Sequence, residues 1–187
     1  MASTVALWFG FGGPNLMVCS GARAGSDGLW LAGLLLRAGR ADRVVLVGTE
    51  PDDEVASALY AADDPPRPPR DGRATDDPPR PLRAGAACVV LRAWRPEAPG
   101  TTREALVELA PGAASVVPPL TVGPGGFDPV RHWGDCYGAQ GVVALALAAH
   151  LAVDEGFGGV GVPCETSDGS RAALVAPAGP AAIGGNR

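Results

Sequence analysis

The chain has 187 residues, 47% hydrophobic and only 5% aromatic, with a formal net charge of −5, and all 15 of its basic residues are arginine. That length fits a single domain whose core must be built mainly from Ala, Val and Leu, and the absence of lysine excludes Schiff-base and lysine general-base chemistry. No basic stripe with interleaved aromatics supports nucleic-acid binding, and no apolar run reaches the roughly 18 residues of a membrane span. Met1 to Leu7 lacks the charged start of a secretory signal, so a cytoplasmic location is expected. Cys19, Cys88, Cys136 and Cys164 are scattered without CxxC spacing. They are expected as free thiols, with neither metal nor cofactor implied.

In chain order, Leu16 to Cys19 is a short apolar run ending in Ser20-Gly21, which predicts a buried strand. Cys19 would then be a small buried hydrophobe rather than a displaced nucleophile. Ser26 to Ala38 follows as an apolar helix carrying five leucines, with Ser20 or Ser26 as a cap and Gly39 as its stop. Arg43 to Gly48 (RVVLVG) reads as a buried strand. Strand, helix and strand in that order predict a βαβ unit and a parallel sheet. Ala62 to Leu82 is a loop, because its prolines, in two copies of Asp-Asp-Pro-Pro-Arg-Pro at Asp63 and Asp76, remove backbone donors. A linker fits this composition better than a polyproline arm for a partner does.

Ala87 to Leu91 is the next buried strand, and Ala105 to Leu109 a further strand or a helical turn. Gly138 to Val153 is apolar on nearly all sides and so is a central helix, with His150 a hydrogen-bonded core or interface histidine. Val160 to Val162 and Ala172 to Val175 are closing strands, and the Pro/Gly-rich tail 177–187 is flexible. Gly156, Gly158 and Gly161 fit GxGxxG only formally, since they follow a helix instead of opening one.

Trp8 to Gly25 (WFGFGGPNLMVCSGARAG) with its continuation Ala38 to Glu50, Gly134 to Gly141 (GDCYGAQG) and Asp168 to Val175 (DGSRAALV) together resemble a β-ketoacyl synthase of the thiolase superfamily. The first is similar to that family's FGxxGPNxxV strand and the elbow holding its nucleophile, and the likeness continues through Ala38 to Glu50. Gly134 to Gly141 (GDCYGAQG) is similar to the family's GHxxGAxG turn. Asp168 to Val175 (DGSRAALV) is similar to its closing GGTNxxLV hairpin. The resemblance implies one α/β domain: a reduced thiolase-like layered fold, with mixed sheets around two buried apolar helices. It also implies truncation, the chain being roughly half the family's usual length.

Departures from the family pattern decide the expected chemistry. The family's acyl-accepting cysteine aligns with Ala22, one of its two histidines aligns with Asp135, and its gating phenylalanine aligns with Ser167. Nothing resembles the HGTxT segment of the other histidine, so no Claisen condensation is expected. Arg23, Asp135, Ser167, Asp168 and Arg171 would converge with Ala22 on the emptied pocket. The resemblance then implies a non-condensing accessory of a polyketide or fatty-acid-like pathway, similar to a chain-length factor. It would form a homodimer, or a heterodimer with a ketosynthase through the Leu16–Cys19 strand, and meet acyl carrier protein or a polyketide intermediate. An alternative is a repurposed hydrolase, dehydratase or cyclase with Asp135 as acid or base. His132, in the same loop as Asp135 and Cys136, is a second candidate for that role, although a solvated loop histidine fits it better.

Overall fold

The computed structural model describes residues 2–63, 81–93, 107–111, 118–123, 125–155, 157–166 and 169–177. It opens on a helix that the apolar pattern did not announce, α1 (Ala2–Phe9), which Gly10 ends at φ +66°. α1 turns apolar side chains to solvent, Trp8 being 83% exposed, and Phe9 stacks on Phe11. The segment that follows corrects the first strand expectation. Leu16 to Cys19 forms no strand, Leu16, Met17 and Cys19 are exposed, and residues 12–19 make no backbone–backbone hydrogen bond among the described residues. A strand exists only with a ladder partner, and no described part of this chain supplies one, so no βαβ unit forms.

A three-residue 3-10 turn, Gly21–Arg23, leads into α2 (Ala24–Arg37). Neither expected serine caps it: Ser20 donates instead to Asp27, one turn into the helix. Its end is a Schellman turn at Gly39 (φ +64°), where Gly39 N–H donates to Leu36 O and Arg40 N–H to Leu35 O. Only glycine takes that backbone conformation without steric cost. The next strand, β1 (Arg43–Glu50), runs antiparallel to β2 (Gly85–Arg92) in a two-stranded sheet, with Val45 opposite Val90 and Val47 opposite Cys88. Between them lies α3 (Glu54–Asp63), where Asp53 caps by accepting from Ala56 N–H at 2.8 Å. Ala62 and Asp63 therefore close a helix instead of opening the loop, and Leu82 at its far end is buried in a bridge to Asp135. Residues 64–80 of that expected loop, and 178–187 of the expected tail, lie outside the described residues.

The second sheet has the order β3-β6-β5-β4, from β3 (Val107–Pro111), β4 (Leu120–Thr121), β5 (Val160–Thr166) and β6 (Gly169–Pro177). All pairs are antiparallel except β4 with β5, which makes this sheet mixed. Ahead of the central helix stands the short α4 (Pro129–Trp133), started by buried Asp128, which accepts from Val130 N–H, and by Pro129 in the first turn. A second 3-10 turn, Tyr137–Ala139, leads into α5 (Gln140–Val153).

α5 packs against β1 and β2 on one side and β5 and β6 on the other, and α2 touches both β1 and β5. The result is the expected α/β layering, with the two apolar helices between two sheets. Its core is aliphatic, with Val122, Val142, Val160, Val162 and Val175 fully buried among small alanines. Glycines set how closely the layers approach. A Cβ on Gly25 of α2 would lie 2.9 Å from Gly141 Cα of α5, and a Cβ on Gly48 of β1 would lie 2.9 Å from Val142 Cβ.

Candidate functional site

The two 3-10 turns meet where α2 and α5 begin, and the candidate site lies at that seam. Gly138 is the close point, since a Cβ there would stand 3.4 Å from Gly21 O and 3.1 Å from Glu50 Oε2. Into this crowded turn two carboxylates project from distant parts of the chain. Glu50, the last residue of β1, accepts from Gly138 N–H at 3.0 Å. Asp135 accepts from Tyr137 N–H through Oδ1 at 2.7 Å and from the Tyr60 hydroxyl through Oδ2 at 3.2 Å. The Asp135 bond supports Tyr137 in a left-handed conformation (φ +40°), and the Tyr137 ring meets Tyr60 edge to face at 5.6 Å. Gln140 accepts from Cys136 N–H at 3.3 Å, so side chains hold most of the turn's backbone donors.

The electrostatics at the seam are acidic. Burial pushes the Glu50 carboxyl up from its ordinary value, the Gly138 N–H opposes that shift, and the charges of Asp135 and Asp53 add to it. Burial also raises the Cys136 thiol, with further contributions from Asp135 and Glu50. Cys136 Sγ lies over Gly85, leaving no room there for a side chain. Its thiol is protonated at neutral pH and is a poor nucleophile.

The sequence candidates do not all converge on this seam. Asp135 is at the seam, half-buried and held by two partners. Ala22 and Arg23 are exposed on the first 3-10 turn, which packs against the second. Ser167 and Asp168 lie outside the described residues, and Arg171 is placed in β6 opposite Cys164 of β5. His132 is exposed in α4 with its ring stacked on Phe127 at 5.0 Å, and His150 is an exposed partner of Asp154 rather than a core residue. Cys19 is exposed as well, against expectation, because the strand that would have buried it is absent. It lines a groove of about 520 Å³ with Met17, Val18, Ser20, Asp27, Trp30 and Leu31. Sequence reading missed Glu50 and Tyr60. Glu50 only ends the family-like segment from Ala38 and Tyr60 lies outside all three, and the fold alone brings them across 88 and 75 residues to this turn.

All four cysteines are free thiols, and no group of three or more His, Cys, Asp or Glu among the described residues is arranged to hold a metal. No helix among them is long and apolar enough to cross a membrane. No protein-family profile matches the chain, and no curated protein matches its sequence. Among solved structures, the chain is similar to one described as "The ishigamide ketosynthase/chain length factor", at 20% identity and a TM-score of 0.58. The match covers 93% of this chain and 60% of that one. The chain thus has a ketosynthase/chain-length-factor-like fold and spans about 60% of the length of the structure it matches.

Proposed function

We propose that this chain is a non-condensing, ketosynthase-like accessory protein of a polyketide or fatty-acid-like pathway, which binds a partner synthase or its acyl chain and forms no thioester of its own. The observation that carries this reading is the turn at the start of α2. Its tip is exposed Ala22, where the resembling family places a nucleophilic cysteine, so that position carries no nucleophilic side chain. Asp135, at the position of a family histidine, is an acceptor for a backbone N–H and a phenol. A carboxylate cannot donate to a developing enolate as a neutral imidazole does. The solved structure of similar fold is described as a ketosynthase/chain length factor, which agrees with a role beside a synthase.

Residues 12–19 support a partner. This stretch is uncharged, its Met17 is 69% exposed, and its backbone groups find no backbone partner among the described residues. In the resembling family the matching strand pairs with its counterpart across a dimer twofold. A second copy, or a complete synthase, would supply the missing ladder.

The decisive experiment incubates the isolated protein with acyl- and malonyl-loaded carrier proteins and measures its intact mass and carbon dioxide release. We expect no adduct and no decarboxylation, and a condensation product overturns the reading. Light scattering and co-purification with a ketosynthase test the partner: Met17→Pro removes a ladder donor and should abolish association. An unmodified protein that stays monomeric at every concentration, alone and with the synthase, contradicts it. The alternative, a repurposed hydrolase, dehydratase or cyclase built on Asp135, has thinner support. Both Asp135 oxygens are engaged, and exposed His132 stacks on Phe127.

A further inference from the structure

We propose that α3 is a lid over the 135–138 turn, latched by Tyr60 on Asp135, which opens without unfolding the rest of the molecule and bares the Asp135 carboxylate to solvent. The proposal is independent of any pathway role and rests on how α3 is held. Of residues 54–62, Ala56 alone is buried and Tyr60 is half-buried. The large aliphatic side chains, Val55 and Leu59, are 69% and 61% exposed and so add little to its hold. The Tyr60 hydroxyl donates to Asp135 Oδ2 and its ring meets Tyr137 edge to face, so both contacts fall on the turn before α5. Against the described strands and other helices α3 packs only sparsely, whereas α5 is enclosed between the two sheets.

Beneath the lid the turn is fixed without help from α3. Asp135 accepts from Tyr137 N–H through its other oxygen, and its backbone donates to Pro81 O and accepts from Arg83 N–H. Pro51 separates α3 from the β1 ladder, whose pairing with β2 ends at Glu50, so the sheet stays intact when the helix lifts. Opening breaks the phenol–carboxylate bond, the ring pair and the Ala56 contact, and takes no valine or leucine of the helix out of the core. Water replaces the phenol at Asp135 Oδ2, which keeps the cost well below that of global unfolding. Once detached, a helix of 10 residues is only marginally stable in water, so its amides become exchangeable.

Amide hydrogen exchange of the full chain, measured in urea below the unfolding transition, tests the lid. Amides of α3 should exchange at least about tenfold faster than those of α5 and with almost no urea dependence, while α5 amides follow global unfolding. Leu145→Ala should speed α5 exchange and leave α3 rates unchanged, because Leu145 stays buried when the lid lifts. Tyr60→Phe keeps the ring and removes the latch, so α3 amides should exchange about tenfold faster. Carbodiimide coupling of glycine ethyl ester to Asp135, read by peptide mass, should rise in Tyr60→Phe and stay constant in Leu145→Ala. Three results overturn the proposal: α3 amides that share the rate and urea dependence of α5, α3 rates that rise with Leu145→Ala as much as α5 rates do, or equal coupling at Asp135 in the wild type and Tyr60→Phe. Should either variant not fold, the wild-type exchange pattern and the other variant decide.

Discussion

The two halves of the molecule follow one local plan and finish it differently. Each has a three-residue 3-10 turn, a 14-residue helix and an antiparallel pair of strands. In the C-terminal half the plan is completed. α5 buries Val142, Ala144, Leu145, Ala148 and Ala152, and β5 and β6 lie within a four-stranded sheet with Val160, Val162 and Val175 enclosed. In the N-terminal half α2 buries only Gly25, Gly28 and Ala32, and the two-stranded sheet presents Val45, Val47 and Val90 to solvent. The β1 sequence is apolar on both faces, as in strands covered on both sides, yet only the side toward α2 and α5 is covered. Local sequence sets an element's type and length, and the number of layers around it decides what that element buries.

Truncation of matched leucines breaks this comparison most sharply. Leu145 of α5 is 5% exposed and Leu34 of α2 is 44% exposed. Leu145→Ala should destabilise the protein by about 2–5 kcal/mol through lost burial and a cavity. Leu34→Ala should change stability by no more than about 0.5 kcal/mol. Urea midpoints measure both, and equal costs would mean that the halves are equally enclosed.

The glycines of α2 sharpen the same contrast at smaller scale. A methyl at Gly25 meets backbone atoms of Gly141 and Val142 at 2.9–3.1 Å, whereas at Gly33 it meets the flexible end of Arg37 at 3.0 Å. Gly25→Ala should cost about 1–3 kcal/mol by overpacking. Gly33→Ala should gain up to about 1 kcal/mol of helix propensity. Thermal melts of the two variants should therefore move in opposite directions.

Thiol labelling tests the difference without altering stability. Cys88 sits on the open face of β2, whereas Cys164 is buried in β5, where burial raises its pKa against the weaker opposing effects of hydrogen bonds from Ser26 and the Ala173 backbone. Alkylation at pH 8, resolved by peptide mass, should reach Cys88 and Cys19 first. Cys136 should follow, and Cys164 should react at least about tenfold more slowly than Cys88, only as the core opens. Early labelling of Cys164 would show that the C-terminal half is the looser one.

Much of this plan was legible from local pattern. α2, β1, β2, α5 and the β5/β6 hairpin form where apolar runs and the Gly39 stop placed them, with ends shifted by a few residues. The strand at Leu16–Cys19 was not legible as to its fate, since pairing depends on a partner that its own residues do not encode. α3 and α4 carried readable signals, a capping Asp53 and the Asp128-Pro129 pair, but each helix is short and lies beside proline- or glycine-rich sequence that masks its period. Of the seam, Asp135 could be singled out because a motif surrounds it. Glu50 looked like one more surface carboxylate at a strand end, and its raised pKa arises only when β1 and the Tyr137 turn are brought together.

The contact between Gly25 and Gly141 also bears on how the chain reaches its native state. It joins residues more than a hundred positions apart in sequence, so its formation must overcome the closure entropy of nearly two-thirds of the chain. The helices on either side need no such closure to begin forming. Topology of this kind slows folding, because the rewarding non-local contact arrives only after that entropy has been spent. A bulkier residue at either glycine would consequently act as a brake on the rate of acquiring structure, to the extent that the crossing is already made at the barrier.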